Sequence, residues 1–194
     1  IIIVINCQSY SQDLDRVKAD VCLIADGVLA DASFNFVDLK TKKIYESTEN
    51  VPEDVTIVPK SPYNDWRYWN GVLNIAMIDL GKITNEQKYI DYAAKNVTFS
   101  FDNYQYFEKL HKDENKWAYP YGELFIMEEL DDCGAMGASV VEVFQIKNDN
   151  RFKKYIEKAA DHITNIQTRI SDKTLVRTFP TSFTIWADDL YMGI

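Results

Sequence analysis

Apolar residues recur at spacings of three and four between residues 12 and 30, at Leu14, Val17, Val21, Ile24, Val28 and Leu29. That period lays them on one face of a helix. The pattern changes over residues 33–60. The string SFNFVDLKTKKIY is aromatic and β-branched, and Pro52 and Pro59 then interrupt it. This predicts an irregular stretch with a short hairpin. From Tyr63 onward the periodicity is helical. Thr84, with Gln87 three residues later, predicts a capping box that opens a new helix.

The helical part repeats itself. Lys88-Tyr89-Ile90-Asp91-Tyr92-Ala93-Ala94 and Lys154-Tyr155-Ile156-Glu157-Lys158-Ala159-Ala160 share one pattern at an offset of 66 residues. Each follows a glycine-bearing, sparsely charged helix, WNGVLNIAMIDLG from Trp69 and DDCGAMGASVVEVFQ from Asp131. The repeating unit is therefore a helical hairpin, and a third begins at Trp186 with WADDLYMGI. Hairpins of this kind bury a core only by stacking on neighbours. The unit exceeds the ~34 residues of a tetratricopeptide and the ~40–47 of HEAT or armadillo repeats. It suits an all-α toroid, in which less charged inner helices line a cleft and outer helices cover them.

Composition narrows the partners. Lys+Arg 21 against Asp+Glu 30 gives a net charge of -9, which repels phosphate backbones and disfavours nucleic acid. Gly 7 and Pro 5 are too few for a loop-rich sandwich. Residues 1–5 read IIIVI, and small residues follow at Ser9 and Ser11. This predicts a signal-peptide remnant over residues 1–11, with the domain over 12–194, and a secreted, periplasmic or cell-surface location in a bacterium. Cys7, just after the apolar run, offers a lipid-anchor alternative, and a short buried strand is a third reading of the same run. No other apolar run is long enough to span a bilayer. Cys7, Cys22 and Cys133 with His111 and His162 show no metal-ligand spacing, so neither a metal, a cofactor nor a disulfide framework is expected.

Three clusters break the core pattern at the starts of inner helices. In Tyr63-Asn64-Asp65-Trp66-Arg67-Tyr68-Trp69 the large aromatics cover more than one helix face. They suit either a sugar ring or a packing joint. In Leu130-Asp131-Asp132-Cys133-Gly134 adjacent carboxylates diverge by about 100°, so at most one faces the cleft while the other caps the helix. Gly134, Ala135, Gly137 and Ala138 leave room for a ligand or a close backbone. Trp186-Ala187-Asp188-Asp189 repeats the acidic pair. Two carboxylates from two inner helices can supply acid and base, because burial of one raises its pKa and keeps it protonated.

The strings YNDWRYWNGVLNIAM, LDDCGAMGASVVEV and WADDLYM resemble glycoside hydrolase family 105, the unsaturated rhamnogalacturonyl hydrolases, relatives of the family 88 unsaturated glucuronyl hydrolases. The resemblance covers about residues 15–194. It implies an (α/α)6 toroid, about half of it within this chain. The family's D-x-G-x-M and D-x-L-x-M motifs fall on Asp132 and Asp188, which it makes the catalytic pair. Tyr68 falls on the family's aromatic position, with Trp66 or Trp69 beside it for stacking on the sugar. Arg177 falls where relatives place a basic group near the uronate, and Arg67 is the other cation at hand.

The implied substrate is an oligosaccharide whose terminal uronic acid carries a C4=C5 double bond. Asp188 protonates C4 and then activates water for addition at C5, while Asp132 holds ring hydroxyls and tunes Asp188. No nucleophile attacks the anomeric carbon, unlike ordinary paired-carboxylate hydrolysis. The family's His-bearing loop and W-x-R-G-x-G-W segment have no counterpart here. They are expected beyond Ile194, which makes the chain an N-terminal fragment, inactive alone. Competing readings are a non-catalytic helical scaffold or sugar-binding surface protein, a family 88-type hydrolase, and a sugar epimerase.

Overall fold

The computed structural model describes residues 8–114 and 120–192. Seven α-helices dominate them: α1 Gln8–Asp31, α2 Tyr68–Thr84, α3 Gln87–Asp102, α4 Tyr104–Glu114, α5 Leu130–Lys147, α6 Lys153–Asp161 and α7 Ala187–Met192. The fold is all-α, with one small antiparallel sheet. Its strands are β1 Phe36–Asp38, β2 Ile44–Tyr45 and β3 Ile57–Pro59, in the order β2-β1-β3. The sheet is the expected hairpin with a third strand added. Phe36 anchors it, stacking on Phe99 at 4.8 Å and meeting Phe107 edge-on at 5.8 Å.

The repeat takes the predicted form. α2 packs along α5, and α5 packs in turn against α7, so the three glycine-bearing or acid-opened helices lie side by side. α3 covers α2, and α6 covers α5. The KYI segments lie on these covering helices. Tyr89 and Tyr155, and Ala93 and Ala159, occupy equivalent buried positions. Two glycines set the spacing. A Cβ on Gly71 would stand 2.5 Å from the backbone of Ala135 and Met136, and one on Gly134 would meet the backbone of Met192. Each inner helix thus approaches the next at a point where only glycine fits.

Two local expectations are corrected. Thr84 does not open α3. It ends α2, where its hydroxyl donates to the Leu80 carbonyl at 2.7 Å. Asn85 follows in the left-handed region at φ 58, its N–H donating to Gly81 O, and Glu86 is the residue before α3. Asparagine tolerates that conformation better than most residues, so it stops the helix before Gln87 can act in a capping box. The second correction concerns α1. It is helical as expected, but Leu14, Val17, Val21 and Ile24 are exposed. Its C-terminal half docks through Ala25 and Val28, with Asp26 held by Lys88 at 2.7 Å and by the Tyr89 hydroxyl at 3.0 Å. No described helix is long and apolar enough to cross a membrane. The leader and the Cys7 anchor expected at the N-terminus concern residues of which 1–7 lie outside the described ones.

Candidate active site

A cleft of about 600 Å³ opens where the N-termini of α2 and α5 meet the loop that leads into α7. Tyr68 and Trp69, in the first turn of α2, form one aromatic wall, their rings 5.2 Å apart and edge-to-face. Both are partly exposed, Trp69 by 50%. Trp186 and Phe179 border the other side. The carboxylates of the cleft are Glu123, Glu128, Glu129, Asp131 and Asp132, and Arg177 lies among them.

The backbone explains this crowding. α5 begins after Glu129, whose extended conformation ends the preceding loop. Asp132 sits one turn in, and its Oδ2 accepts the backbone N–H groups of Glu128 and Glu129 at 2.7 and 2.9 Å. That is half of a capping box, and it satisfies amides at the positive end of the helix. The residue before the helix is therefore Glu129, not either aspartate. Asp132 is 3% exposed. Burial pushes its carboxyl above the ordinary range, the Asp131 charge adds to this, and the two amides oppose it.

Glu129 is tied down more fully. Its Oε1 accepts from the Thr178 N–H and hydroxyl at 2.8 and 2.7 Å and from the Phe179 N–H at 3.0 Å. Its Oε2 accepts from Gln167 Nε2 at 3.1 Å. Burial alone pushes this carboxyl up, but the bonds to Thr178, Gln167 and Phe179 together hold it below the ordinary range. Glu129 therefore straps the 167–179 loop onto α5.

Arg177 arrives on that loop. It is 4% exposed, it pairs with Asp131 of α5, and its Nε lies 2.7 Å from Oδ2 of Asp189 in α7. Its guanidinium sits 4.1 Å over the Trp186 ring. The expected uronate-binding arginine thus lines the cleft with its charge already engaged by two aspartates.

The remaining expected residues divide. Tyr68 and Trp69 lie in the cleft. Trp66 does not, which corrects the stacking role expected of it. It is fully buried, with Phe101 and Tyr155 edge-on against it at 5.8 and 5.1 Å, and its indole N–H donates to the Tyr155 hydroxyl at 3.4 Å. No sugar reaches either face of its ring. Asp188 is exposed in the first turn of α7 and is not among the lining residues, whereas its neighbour Asp189 is buried. Burial raises the pKa of Asp189, against the pull of Arg177.

Glu123 is a cleft residue with no sequence signal, a lone glutamate in a short 3₁₀ turn. Its Oε1 accepts from Arg67 at 2.6 Å, while its Oε2 is buried with no partner among the described residues. Burial drives its pKa up to about 7, with Asp132 and Asp65 adding to the rise and Arg67 opposing it. Folded chain therefore holds a proton that unfolded chain has released, and stability from this group is lost as pH rises towards about 7. We expect urea-unfolding stability to fall between about pH 5 and pH 8, and to fall less steeply in Glu123→Gln. Equal slopes for the two proteins would refute the assignment. Among the described residues, no group of three or more His, Cys, Asp or Glu is placed to hold a metal ion.

Stacked helical hairpins whose inner helices open onto an aromatic- and carboxylate-walled cleft define a carbohydrate-active enzyme of the α/α type. Residues 40–194 match the family model of Glycosyl Hydrolase Family 88, and the chain belongs to that family. It is a glycosidase by descent, with unsaturated uronides as its substrate class and an oligosaccharide as its partner. No curated protein matches the chain significantly.

Proposed function

We propose that the protein hydrolyses unsaturated uronic acid from the non-reducing end of rhamnogalacturonan-derived oligosaccharides, the family 105 type of activity. The observation that carries this reading is the meeting of the two acidic pairs. Asp131 and Asp189 join on Arg177, which ties the N-terminus of α7, where Asp188 stands exposed, to the N-terminus of α5, whose Asp132 lines the cleft. Tyr68 and Trp69 offer aromatic surface for a sugar ring there. In this reading Asp188 gives its proton to C4 of the vinyl ether. Water adds its oxygen at C5 and returns a proton to Asp188, which restores the acid. The resulting hemiketal opens to a keto sugar and releases the next residue of the chain. Asp132, with Oδ2 spent on two amides, has Oδ1 to accept a ring hydroxyl. A secreted or cell-surface location fits a substrate that polysaccharide lyases produce outside the cell.

A different division of labour is favoured by one observation. Asp132 is a buried cleft carboxyl of raised pKa, whereas Asp188 is exposed. A buried acid holds its proton at higher pH, so Asp132 is the second candidate for the donor.

The test is to give the full-length protein two unsaturated disaccharides, one ending in rhamnose and one in glucosamine, and to follow loss of the ultraviolet absorbance of the double bond. The expected result is faster loss with the rhamnose-linked substrate and release of a keto product. Preference for the glucosamine-linked one would place the protein with the glucuronyl hydrolases. No loss with either would defeat the reading.

A further inference from the structure

Four groups from three segments converge beside the cleft without exposing a free charge. Asp131 comes from α5, Asp189 from α7, and Arg177 and Trp186 from the loop between α6 and α7. The arginine is 4% exposed and Asp189 is 5% exposed. Each of the two acidic pairs surrenders one member to this cluster, Asp131 from the first and Asp189 from the second. The other members stay outside it: Asp132 lines the cleft, and Asp188 stands exposed in the first turn of α7.

The guanidinium fits this position. It is planar, permanently charged and weakly hydrated, so it tolerates burial between two carboxylates and can stack on an indole at the same time. α7 is six residues long and too short to hold its shape alone. Its anchors include the packing of Met192 on Gly134, Leu130 and Ala135 and the pairing of Asp189 with Arg177. Glu129 holds the arginine's loop through Thr178 and Phe179, so the clamp is fastened to α5 on both sides.

We propose that Arg177 is a positioning residue: it clamps α7 to α5 through Asp189 and Asp131, and so fixes where Asp188 stands relative to α5, instead of binding the uronate itself. The consequence for catalysis rests on the hydration reading above. The clamp itself does not.

The experiment has two readouts on the full-length protein with Arg177→Met and Asp189→Asn. Asp189→Asn keeps size and shape and serves if Arg177→Met fails to fold. The first readout is amide hydrogen exchange over residues 187–192. Both variants are expected to speed it ~10-fold or more, with the amides of α2 and α3 changed much less, because loss of a local anchor opens a local unit. Unchanged exchange in α7 overturns the clamp whatever the activity. The second readout is kinetics on the unsaturated oligouronide. Both variants are expected to lower kcat by ~10- to 100-fold at nearly constant KM, as misplacement of a reacting group does. A KM increase in Arg177→Met with kcat preserved, and no such increase in Asp189→Asn, would assign Arg177 to the uronate and overturn the proposal. A wild-type protein without activity would remove the hydration reading while the exchange result still decides the clamp.

Discussion

Asp188→Asn is expected to cut turnover of unsaturated oligouronides by ~10²–10⁴-fold, since it removes the proton that C4 must receive. The protein should remain folded. Asp188 is exposed and makes no hydrogen bond or ion pair among the described residues, and such positions change stability little. An unaltered melting curve would therefore accompany the lost activity. Asp132→Asn should behave differently. Asparagine keeps an oxygen to accept the Glu128 and Glu129 amides, so the start of α5 survives. What changes is the charge beside the substrate, with KM raised more than kcat is lowered. Activity is followed by loss of the substrate double bond, and stability by thermal unfolding. Full turnover in Asp188→Asn would sink its assignment. Abolished turnover in Asp132→Asn alone would transfer the donor role to that residue.

The contrast between these neighbours shows what the sequence could and could not reveal. The hairpin repeat was legible because periodicity and recurrence are local properties of the chain. KYI at residues 88 and 154 fell on equivalent covering helices, and Gly71 and Gly134 fell on equivalent close approaches. The Asp-Asp strings were legible as functional elements, but not the partner each residue takes. Asp131 and Asp189 are 58 positions apart and meet through an arginine on a third segment. Nothing in their spacing announces that. Trp66 departs from its expected place for a related reason. It sits before α2, where its backbone N–H donates to the Pro120 carbonyl at 2.8 Å, so its direction follows from a long-range bond and not from helix geometry. Glu123 has no sequence signature, because its importance lies in burial and in an oxygen with no partner among the described residues. Thr84 carried a real signature, overridden by the left-handed Asn85 that follows it.

Gly71→Ala should destabilise the protein by ~2 kcal/mol or more, even though alanine is the better helix former. The intrinsic preference favours alanine by ~1 kcal/mol within a helix. The packing term opposes it and is larger. A Cβ at residue 71 would stand 2.5 Å from the Ala135 carbonyl carbon and the Met136 nitrogen. Backbone atoms cannot turn aside as a flexible side chain can, so α2 and α5 must separate along the main contact between repeat units. Overpacking costs ~1–3 kcal/mol where side chains yield, and occasionally more. Gly137 in α5 supplies the control. Its added Cβ would meet the Ala159 methyl at 3.5 Å, an ordinary contact. Gly137→Ala should therefore be neutral or stabilising by up to ~1 kcal/mol. Gly134→Ala meets the Met192 backbone, but it should lower global stability less than Gly71→Ala, because displacing α7 leaves the α2–α5 contact intact. Urea unfolding of the three variants measures the order directly. A Gly71→Ala protein as stable as Gly137→Ala would mean that the inner helices are not in backbone contact at that point.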